Sequence, residues 1–391
     1  MLRPSPKDCA SDLLLETLRL CPTRSAAELR QAWRETRTDG LPQLVAFEGC
    51  SLWLYRRLQE LGVVADVDAA FAAWLAQSAR RITAHNLAVG TQRDVVVSIL
   101  NDLGCPHVLL KGAAGELVSD VYPYADARAI GDVDVLLPSD LASATWQRLR
   151  SAGFDPAPDA EQKYASHYHL APLSNGRRVS VELHTSTSKA LAPAEAWRRI
   201  TADAHVVERA TGITRVPAPT ERLWHALGHA LVGSSSYGFR LRFLLDAAVV
   251  STSGRHVDWR AVASRLDAGE LPDATAARRW LGAAAWLAGT PCPAEVTRGI
   301  AAFDLTRALR WRLQVFRRSE RLHLVAEQGL WATDAGARAR RLLINEGTRS
   351  ALGWPLTPAR RASGALVRSG RWAAAAVARL CFWGWRAARR T

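Results

Sequence analysis

Apolar residues recur at helical spacing through most of the first hundred positions. The segments ASDLLLETLRL, SAAELRQAWRET and PQLVAFEGCSLWLYRRLQELG carry apolar residues every three or four positions, and the last ends at a glycine, as helices often do. Residues 66–104 keep the same period and predict either one long helix or two abutting helices. We therefore expect residues 1–104 to form an N-terminal helical region.

The pattern changes over residues 105–190. HVLLKG and GDVDVLLP are short apolar runs closed by glycine or proline, and they predict buried strands. GAAGELVSDVY lies between them and predicts a short helix, and SDLASATWQRLRSAGF predicts a longer one with a Ser/Asp cap. KYASHYHLAPLSNGRRVSVELHTS alternates around Asn175-Gly176, a dipeptide typical of two-residue hairpin turns. Together these segments predict a small mixed sheet.

Helical spacing returns after residue 191. Segments such as TERLWHALGHALVG and ATAARRWLGAAAWLAG indicate a C-terminal helical domain over residues 191–350, and residues 351–391 form a basic tail rich in Arg and Trp. The expected fold class is α+β, with a small mixed sheet flanked by N-terminal and C-terminal helical regions.

Composition supports a globular protein of two or three structural units. The 391 residues are 48% hydrophobic and 23% charged, which excludes a disordered chain. No secretory signal is visible, and no apolar run reaches the roughly 20 residues of a membrane-spanning helix. The six cysteines are scattered without a C-x-x-C pair, which argues against a disulfide framework or a zinc site. We expect a cytoplasmic protein.

The net charge of +14 is unevenly distributed. Residues 347–391 contain nine arginines and no acid, so the body of the protein is only mildly basic and RNA is not favoured as a partner. In the tail, the spacings of eight and seven residues between Arg371, Arg379 and Arg386 would place them near one stripe of a helix. Residues 371–390 could contact an anionic membrane surface, a protein partner or the protein's own helical domain, and the sequence leaves these alternatives open.

Two aspartates on a predicted strand are the first candidate for chemistry. Asp132 and Asp134 are two positions apart, so their side chains project to the same face, while Val133 and Val135 project to the other. Adjacent carboxylates repel unless a cation lies between them, and Mg²⁺ suits such oxygen ligands. The alternatives are a solvated strand end or helix capping. A second DVD at residues 66–68 precedes a helix, where capping is the better interpretation.

Further candidates surround this pair. Glu182 alternates with Val181 and Leu183 and could add a third carboxylate from a neighbouring strand, or it could lie on an exposed polar hairpin face. The Lys111-Gly112 dipeptide combines a point charge with a residue that allows close backbone approach to a ligand.

The helical part adds residues that could line an acceptor cleft. His225 and His229 share one helix face, but the glutamate of helical zinc motifs and a third ligand are missing. We favour a role on the acceptor side of a cleft, with Tyr237, Arg240 and Arg242. Asp246 stands within an apolar helix, so we expect it to pair with an arginine.

The ordered combination LLKG, R, GDVDVLL and VELH resembles the nucleotidyltransferase superfamily with its polymerase-beta-like fold, and more closely a bacterial group of nucleotidyltransferase family proteins. The resemblance covers about residues 105–188. Lys111-Gly112 stands where the wider superfamily usually has Gly-Ser, and the distance to the first aspartate is longer.

The resemblance implies roles for the candidate residues. Asp132, Asp134 and Glu182 would be the catalytic and metal-binding residues, holding two Mg²⁺ ions, or Mn²⁺, with Glu182 as the base. Lys111, Gly112 and Arg128 would contact the phosphates of the nucleotide, although Arg128 could instead pair with Asp126 or with a carbonyl. His169, His184, Tyr237 and Arg240 would lie on the acceptor side.

The predicted function is therefore transfer of an NMP group from an NTP such as ATP to an acceptor. The acceptor could be a small molecule, a peptide, a protein or an RNA. The alternative is a non-catalytic binding protein on a degenerate form of the fold, which would use its basic tail to engage nucleic acid, membrane or a partner. An acyl-transfer or phospho-transfer enzyme built on histidines is disfavoured, because no Ser or Cys nucleophile stands in a recognisable elbow.

Overall fold

The computed structural model describes residues 10–117, 128–176, 179–231, 240–252 and 256–325. These residues form an α+β structure with a five-stranded mixed sheet, a two-stranded sheet and helices at both ends, which confirms the predicted fold class. The basic tail over residues 351–391 lies outside the described residues, as does Tyr237. The boundaries of the four predicted regions stay predictions.

Within the described residues 10–104, the N-terminal helical region forms five α-helices. They are α1 (Ala10–Leu18), α2 (Ala26–Glu35), α3 (Leu41–Glu48), α4 (Ser51–Glu60) and α5 (Ala69–Asp102). The last is a single helix of 34 residues. It begins at Asp68, whose carboxylate accepts a hydrogen bond from the Phe71 N–H at 2.9 Å. Asp66 accepts one from Arg34 at 2.7 Å. The first DVD therefore opens a helix, as predicted.

Short helices and strands alternate in the middle of the chain. The helices are α6 (Lys111–Gly115), α7 (Ser139–Ser151), α8 (Ala160–Tyr164) and α9 (Pro193–Ala202). The strands are β1 (Val108–Leu109), β2 (Asp132–Leu136), β3 (Asp155–Pro156), β4 (Leu173–Ser174), β5 (Ser180–His184), β6 (His205–Arg209) and β7 (Gly212–Val216).

The main sheet has the strand order β1-β2-β5-β4-β3. Its central pair, β2 and β5, runs parallel, while the other neighbouring strands are antiparallel. The two faces of the sheet differ as the period-two pattern predicts. Val133, Val135 and Val181 are buried in the main hydrophobic core against the helices. On the opposite face, Leu136 belongs to a small apolar cluster with Val108, and this face also carries Asp134 and Glu182.

Two local features differ from the sequence-based expectation. The β4–β5 hairpin forms, but Leu173 pairs with Val181, so residues 175–179 separate the strands and the connection is longer than two residues. The β6–β7 hairpin lies where a helical region was expected. Its sequence, HVVERATGITRV, alternates β-branched residues around a glycine, and this was the signal for a hairpin.

The C-terminal helices pack back onto the N-terminal ones. They are α10 (Pro219–Leu231), α11 (Leu241–Thr252), α12 (Trp259–Asp267), α13 (Ala274–Ala288), α14 (Ala294–Thr297) and α15 (Leu305–Val325). Arg312 on α15 forms a fully buried ion pair with Glu48 on α3. Among the described helices, none has the length and apolar character required to cross a bilayer.

Candidate active site

The parallel pairing of β2 with β5 places acidic side chains side by side. Asp134 is the register partner of Glu182, and Asp132 is the partner of Ser180. Because neighbouring residues of a sheet point to the same face, all three acids project from one side. Asp134 is fully buried there. The structure thus brings together the three acids that the sequence singled out.

Lys111 is the closest cation to this group. Its Nζ lies 2.5 Å from Oδ1 of Asp134. Lys111 begins helix α6 with a φ of 48°, a left-handed conformation that non-glycine residues rarely adopt. Such backbone strain costs roughly 1–3 kcal/mol and concentrates at functional sites. Lys111, held in this strained backbone conformation, thus reaches a buried carboxylate.

The electrostatics of the group follow from burial and from the Lys111–Asp134 pair. Burial alone would raise the pKa of Asp134, but Lys111 and the hydrogen bond from His184 outweigh it and hold the pKa well below its usual value. Burial likewise opposes the ammonium form of Lys111, yet Asp134, Asp132 and Glu182 together raise its pKa. This ion pair is therefore charged at neutral pH.

Asp132 behaves differently from its neighbour. Burial and the negative charge of Asp134 raise the pKa of Asp132 to about 7, although Lys111 opposes the shift. The two aspartates are also within hydrogen-bonding reach, so a protonated Asp132 can donate to Asp134. Asp132 thus changes charge near neutral pH, and a cation bound beside it would favour the ionised form.

Two imidazoles approach the acids from the β5 side. His184 is fully buried, and its Nε2 lies 2.8 Å from Asp134 Oδ1 and 3.5 Å from Glu182 Oε2. His169 Nε2 lies 3.7 Å from the same Glu182 oxygen. We expected His184 on the acceptor side of the site. In the structure His184 is instead fully buried against Asp134, and this burial prevents contact with an acceptor substrate.

The residues present fit a divalent cation. Asp134, Glu182 and His184 each offer a ligand atom, and these atoms lie within 4.8 Å of one another. With both aspartates ionised, the buried Oδ2 of Asp134 accepts no hydrogen bond from the described residues. A buried carboxylate oxygen without a donor is costly, and a cation would remove that cost. Asp132 lies beside this group.

A cavity of about 180 Å³ opens between the start of β2 and helices α10 and α11. Among the side chains that line it are the cations of Lys111, Arg128, Arg222 and Arg242, the acids Asp132 and Asp246, and the imidazoles of His225 and His229. Cations outnumber acids around this cavity, so it favours an anionic ligand such as a phosphate group. Arg222 is the lining cation that the sequence did not suggest.

Arg128 is held in place through both its side chain and its backbone. Its Nε donates to both oxygens of Asp246, at 3.0 and 2.9 Å, which answers the question of its partner. Asn86 on α5 donates to the Arg128 carbonyl at 2.8 Å and accepts from the Ile130 N–H at 3.1 Å.

Gly112 lies against the guanidinium of Arg128. A Cβ there would collide with Arg128 and would approach Ile130 Cγ2 to 2.8 Å. Packing therefore leaves no room for a side chain at Gly112.

The helical histidines are neutral residues of the cavity wall. Burial and the nearby Lys111 charge lower the pKa of His229 to about 4 and hold the pKa of His225 well below its ordinary value. Within the described part of the chain, neither belongs to a group of three metal-ligating side chains.

Asp246 pairs with an arginine, as expected. The Arg240 guanidinium lies 4.6 Å from the Phe47 ring centroid and is not among the residues lining the cavity.

Comparison with known proteins bears on this arrangement. Residues 34–287 match the sequence model of a family described as an uncharacterised nucleotidyltransferase. The matched stretch runs from helix α2 to helix α13 and includes the sheet, both acidic strands and the cavity. Curated proteins provide no significant match to the chain.

Proposed function

The chain belongs to this uncharacterised nucleotidyltransferase family, and from that premise we propose that it transfers an NMP group from an NTP to an acceptor with the help of divalent cations. The observation that supports this most strongly is the pairing of Asp134 with Glu182 on parallel strands beside Lys111. Carboxylates placed in this way can hold cations next to a cavity whose walls favour phosphate.

The proposed reaction forms one bond and breaks one bond at the α-phosphorus. An acceptor hydroxyl oxygen bonds to this phosphorus, the bond to the β-phosphate oxygen breaks, and pyrophosphate leaves with the electron pair. Bound Mg²⁺ or Mn²⁺ would neutralise the charge on the entering and leaving oxygens. Glu182, which is partly exposed, would accept the proton of the hydroxyl. Lys111, Arg222 and Arg242 would hold the phosphates.

The neighbouring groups keep Glu182 ionised. Burial opposes its ionised form, but His184, Lys111 and His169 together outweigh burial and the Asp134 charge and lower the pKa of Glu182. Its carboxylate is thus deprotonated at neutral pH, as a base must be before it accepts a proton.

Metal-dependent NTP binding and label transfer test this proposal. Each α-labelled NTP, beginning with ATP, is incubated with the protein and Mg²⁺ or Mn²⁺ in host lysate, and the labelled acceptor and released pyrophosphate are measured. We expect Asp134→Asn and Glu182→Gln to abolish turnover. Asp66→Asn, a change in the other DVD tripeptide at the start of a helix, is the matched control and should retain it. Absence of metal-dependent NTP binding in the wild-type protein would refute the proposal and favour a binding protein.

A further inference from the structure

The acids can be approached from a second side, away from the cationic cavity. The cavity is lined by α6, the start of β2 and helices α10 and α11, and its described lining residues include none from residues 155–191. Glu182 is therefore not part of that cavity, yet its side chain is 18% exposed. Solvent thus reaches this carboxylate from outside the cavity, on the β5 side of the acids.

A short aromatic segment covers the edge of β5 that faces away from β2. Strand β2 pairs with one edge of β5, and His169 forms an antiparallel bridge with His184 on the other edge. The Thr185 N–H also donates to the Tyr168 carbonyl at 3.0 Å. Because these backbone contacts follow β5, the side chains of the segment lie beside Glu182 and not beside the cavity.

Four ring side chains of this segment contact one another and form what we call the aromatic wall, namely Tyr164, His167, Tyr168 and His169. The His167 ring stacks on Tyr168 with centroids 4.4 Å apart and lies 4.0 Å from the His169 ring. Tyr164 lies 5.0 Å from His169, whose Nε2 is 3.7 Å from Oε2 of Glu182. His169 is buried, whereas the other three rings are partly exposed. The wall therefore presents ring surfaces to solvent next to the proposed base.

The exposed part of the wall combines aromatic faces with polar atoms. Burial and the neighbouring His169 lower the pKa of His167 to about 4, so this ring is neutral at physiological pH. Burial raises the pKa of Tyr168, so its phenol keeps the hydrogen and can donate it. Each of these side chains thus offers a flat apolar surface and a group that forms hydrogen bonds.

The cavity and the wall suit opposite ends of the proposed reaction. In an in-line transfer, the entering and leaving oxygens lie on opposite sides of the phosphorus. Lys111, Arg222 and Arg242 in the cavity would hold the phosphates, and hence the pyrophosphate that leaves. The acceptor hydroxyl then enters from the other side, where Glu182 and the aromatic wall lie.

We propose that the aromatic wall binds the acceptor, and that the acceptor is a sugar-ring hydroxyl carried on a small glycoside or nucleoside. The inference rests on the proposed function and names its acceptor class. A sugar ring has a C–H face that packs against the electron-rich face of an aromatic ring, and it has hydroxyls that need hydrogen-bond partners. The wall supplies both, whereas an open-chain alcohol has no ring face to bind.

The reaction balances with this acceptor. One sugar oxygen bonds to the α-phosphorus and its proton passes to Glu182, while the bond to the β-phosphate oxygen breaks and pyrophosphate leaves with the electron pair. His167 and Tyr168 are binding residues that place the sugar ring, and they take no part in the proton transfer.

Identification of the labelled product tests the acceptor class. The full-length protein is incubated with α-labelled NTP and divalent cation in the small-molecule extract of host cells, and the labelled product is purified. A phosphodiesterase then releases the acceptor, whose mass, periodate sensitivity and ultraviolet absorbance are measured. We expect a compound with a sugar ring. The absorbance of a base distinguishes a nucleoside from a glycoside.

Variants of the wall test its role with the acceptor purified in this way. We expect His167→Leu and Tyr168→Leu each to raise the KM for the acceptor by about tenfold or more, since stacking on an aromatic side chain is worth about 1–3 kcal/mol. The dissociation constant of metal-bound NTP should change by less than about twofold, because the wall and the cavity share no described residue. His256→Leu, at an exposed imidazole outside both, is the matched control and should leave both constants unchanged.

The outcomes separate this inference from the proposed function. In whole lysate, label found on a protein side chain, a lipid alcohol or an RNA would overturn the inference and leave the proposed function standing. An unchanged KM for the acceptor in both variants would overturn it as well. The acceptor purified with the wild-type protein decides the matter if the variants fail to fold. Absence of metal-dependent NTP binding would refute the proposed function, and the inference with it.

Discussion

The guanidinium of Arg128 shares its Nε–H between both carboxylate oxygens of Asp246, at 3.0 and 2.9 Å. Arg128 precedes strand β2, and Asp246 lies in the middle of helix α11. The pair therefore joins the acidic strand to the C-terminal helices across the wall of the cavity. Both side chains are largely buried, so the contact is weakly screened by solvent.

Substitution of Asp246 by Asn should destabilise the protein. The variant removes the charge that Arg128 faces, and we expect the free energy of unfolding in urea to fall by about 1.5–3 kcal/mol. Arg37→Met is the control, because Arg37 forms an exposed ion pair with Asp39 that should contribute less than about 1 kcal/mol. Equal effects of the two variants would show that the buried pair does not join the strand to the helices.

Gly112 should tolerate no side chain, because Arg128 and Ile130 occupy the space beside it. Gly112→Ala gains helix propensity, worth about 1 kcal/mol, but overpacking typically costs about 1–3 kcal/mol. We expect a net decrease in the free energy of unfolding. Gly131→Ala is the matched control, since a Cβ at Gly131 meets nothing within 4 Å. Equal free energies of unfolding for the two variants would show that the Arg128 side chain can move away from the added methyl group with little loss of stability.

The faces of the strands could be predicted from the sequence, but their neighbours could not. Alternation along the strand predicted that Asp132 and Asp134 project from one face of the sheet and Val133 and Val135 from the other, and the structure has this arrangement. The partner of Asp134 depends on which strands adjoin, and β2 and β5 are separated along the chain by two other strands. Glu182 was therefore a candidate by pattern, and only the parallel register places it next to Asp134.

Contacts between distant parts of the chain were the least predictable features of the site. Asn86 lies on α5, within a helical pattern, and nothing local indicates that it binds the backbone at Arg128 and Ile130. The same holds for His184. Its position on the acidic face led us to expect it on the acceptor side of the site, whereas its burial follows from the packing of the sheet. Periodicity gives the direction of a side chain, whereas its partner depends on the tertiary fold.

Asp132 should make the protein less stable as the pH rises. Its native pKa of about 7 lies above the ordinary value of 3.8, so the folded state binds the proton more tightly than the unfolded state. The resulting stabilisation is complete below about pH 4 and is lost as the pH rises to about 7. Asp132→Asn mimics the protonated form. It should be increasingly more stable than the wild type over this range, by on the order of 2 kcal/mol above pH 7.

Urea unfolding of both proteins at pH values from 4 to 8 checks the direction of this effect. A constant difference in the free energy of unfolding between the two proteins across this pH range would contradict it. Excess Mn²⁺ should stabilise the wild type more at pH 8 than at pH 6, because a cation binds the ionised carboxylates. Asp132→Asn should show a smaller difference between these two pH values.

Glu48 and Arg312 offer a test of how the described N-terminal and C-terminal helices are joined. Both side chains are fully buried, and Glu48 also accepts a hydrogen bond from the Leu241 N–H at 2.8 Å. One carboxylate thus connects helices α3, α11 and α15. Removing one member of a buried ion pair leaves an uncompensated charge and typically costs about 3–5 kcal/mol.

Arg312→Met should therefore lower the free energy of unfolding by about 3–5 kcal/mol, because it leaves the Glu48 carboxylate buried without its cationic partner. Adding Glu48→Gln removes that charge and keeps a side-chain oxygen that can accept from Leu241. The double variant should recover part of the loss and be more stable than Arg312→Met alone in urea unfolding. A double variant less stable than Arg312→Met would mean that the Glu48 charge costs nothing in the core, and that Arg312 acts mainly by filling space against Phe47, whose ring centroid lies 5.5 Å from the guanidinium carbon.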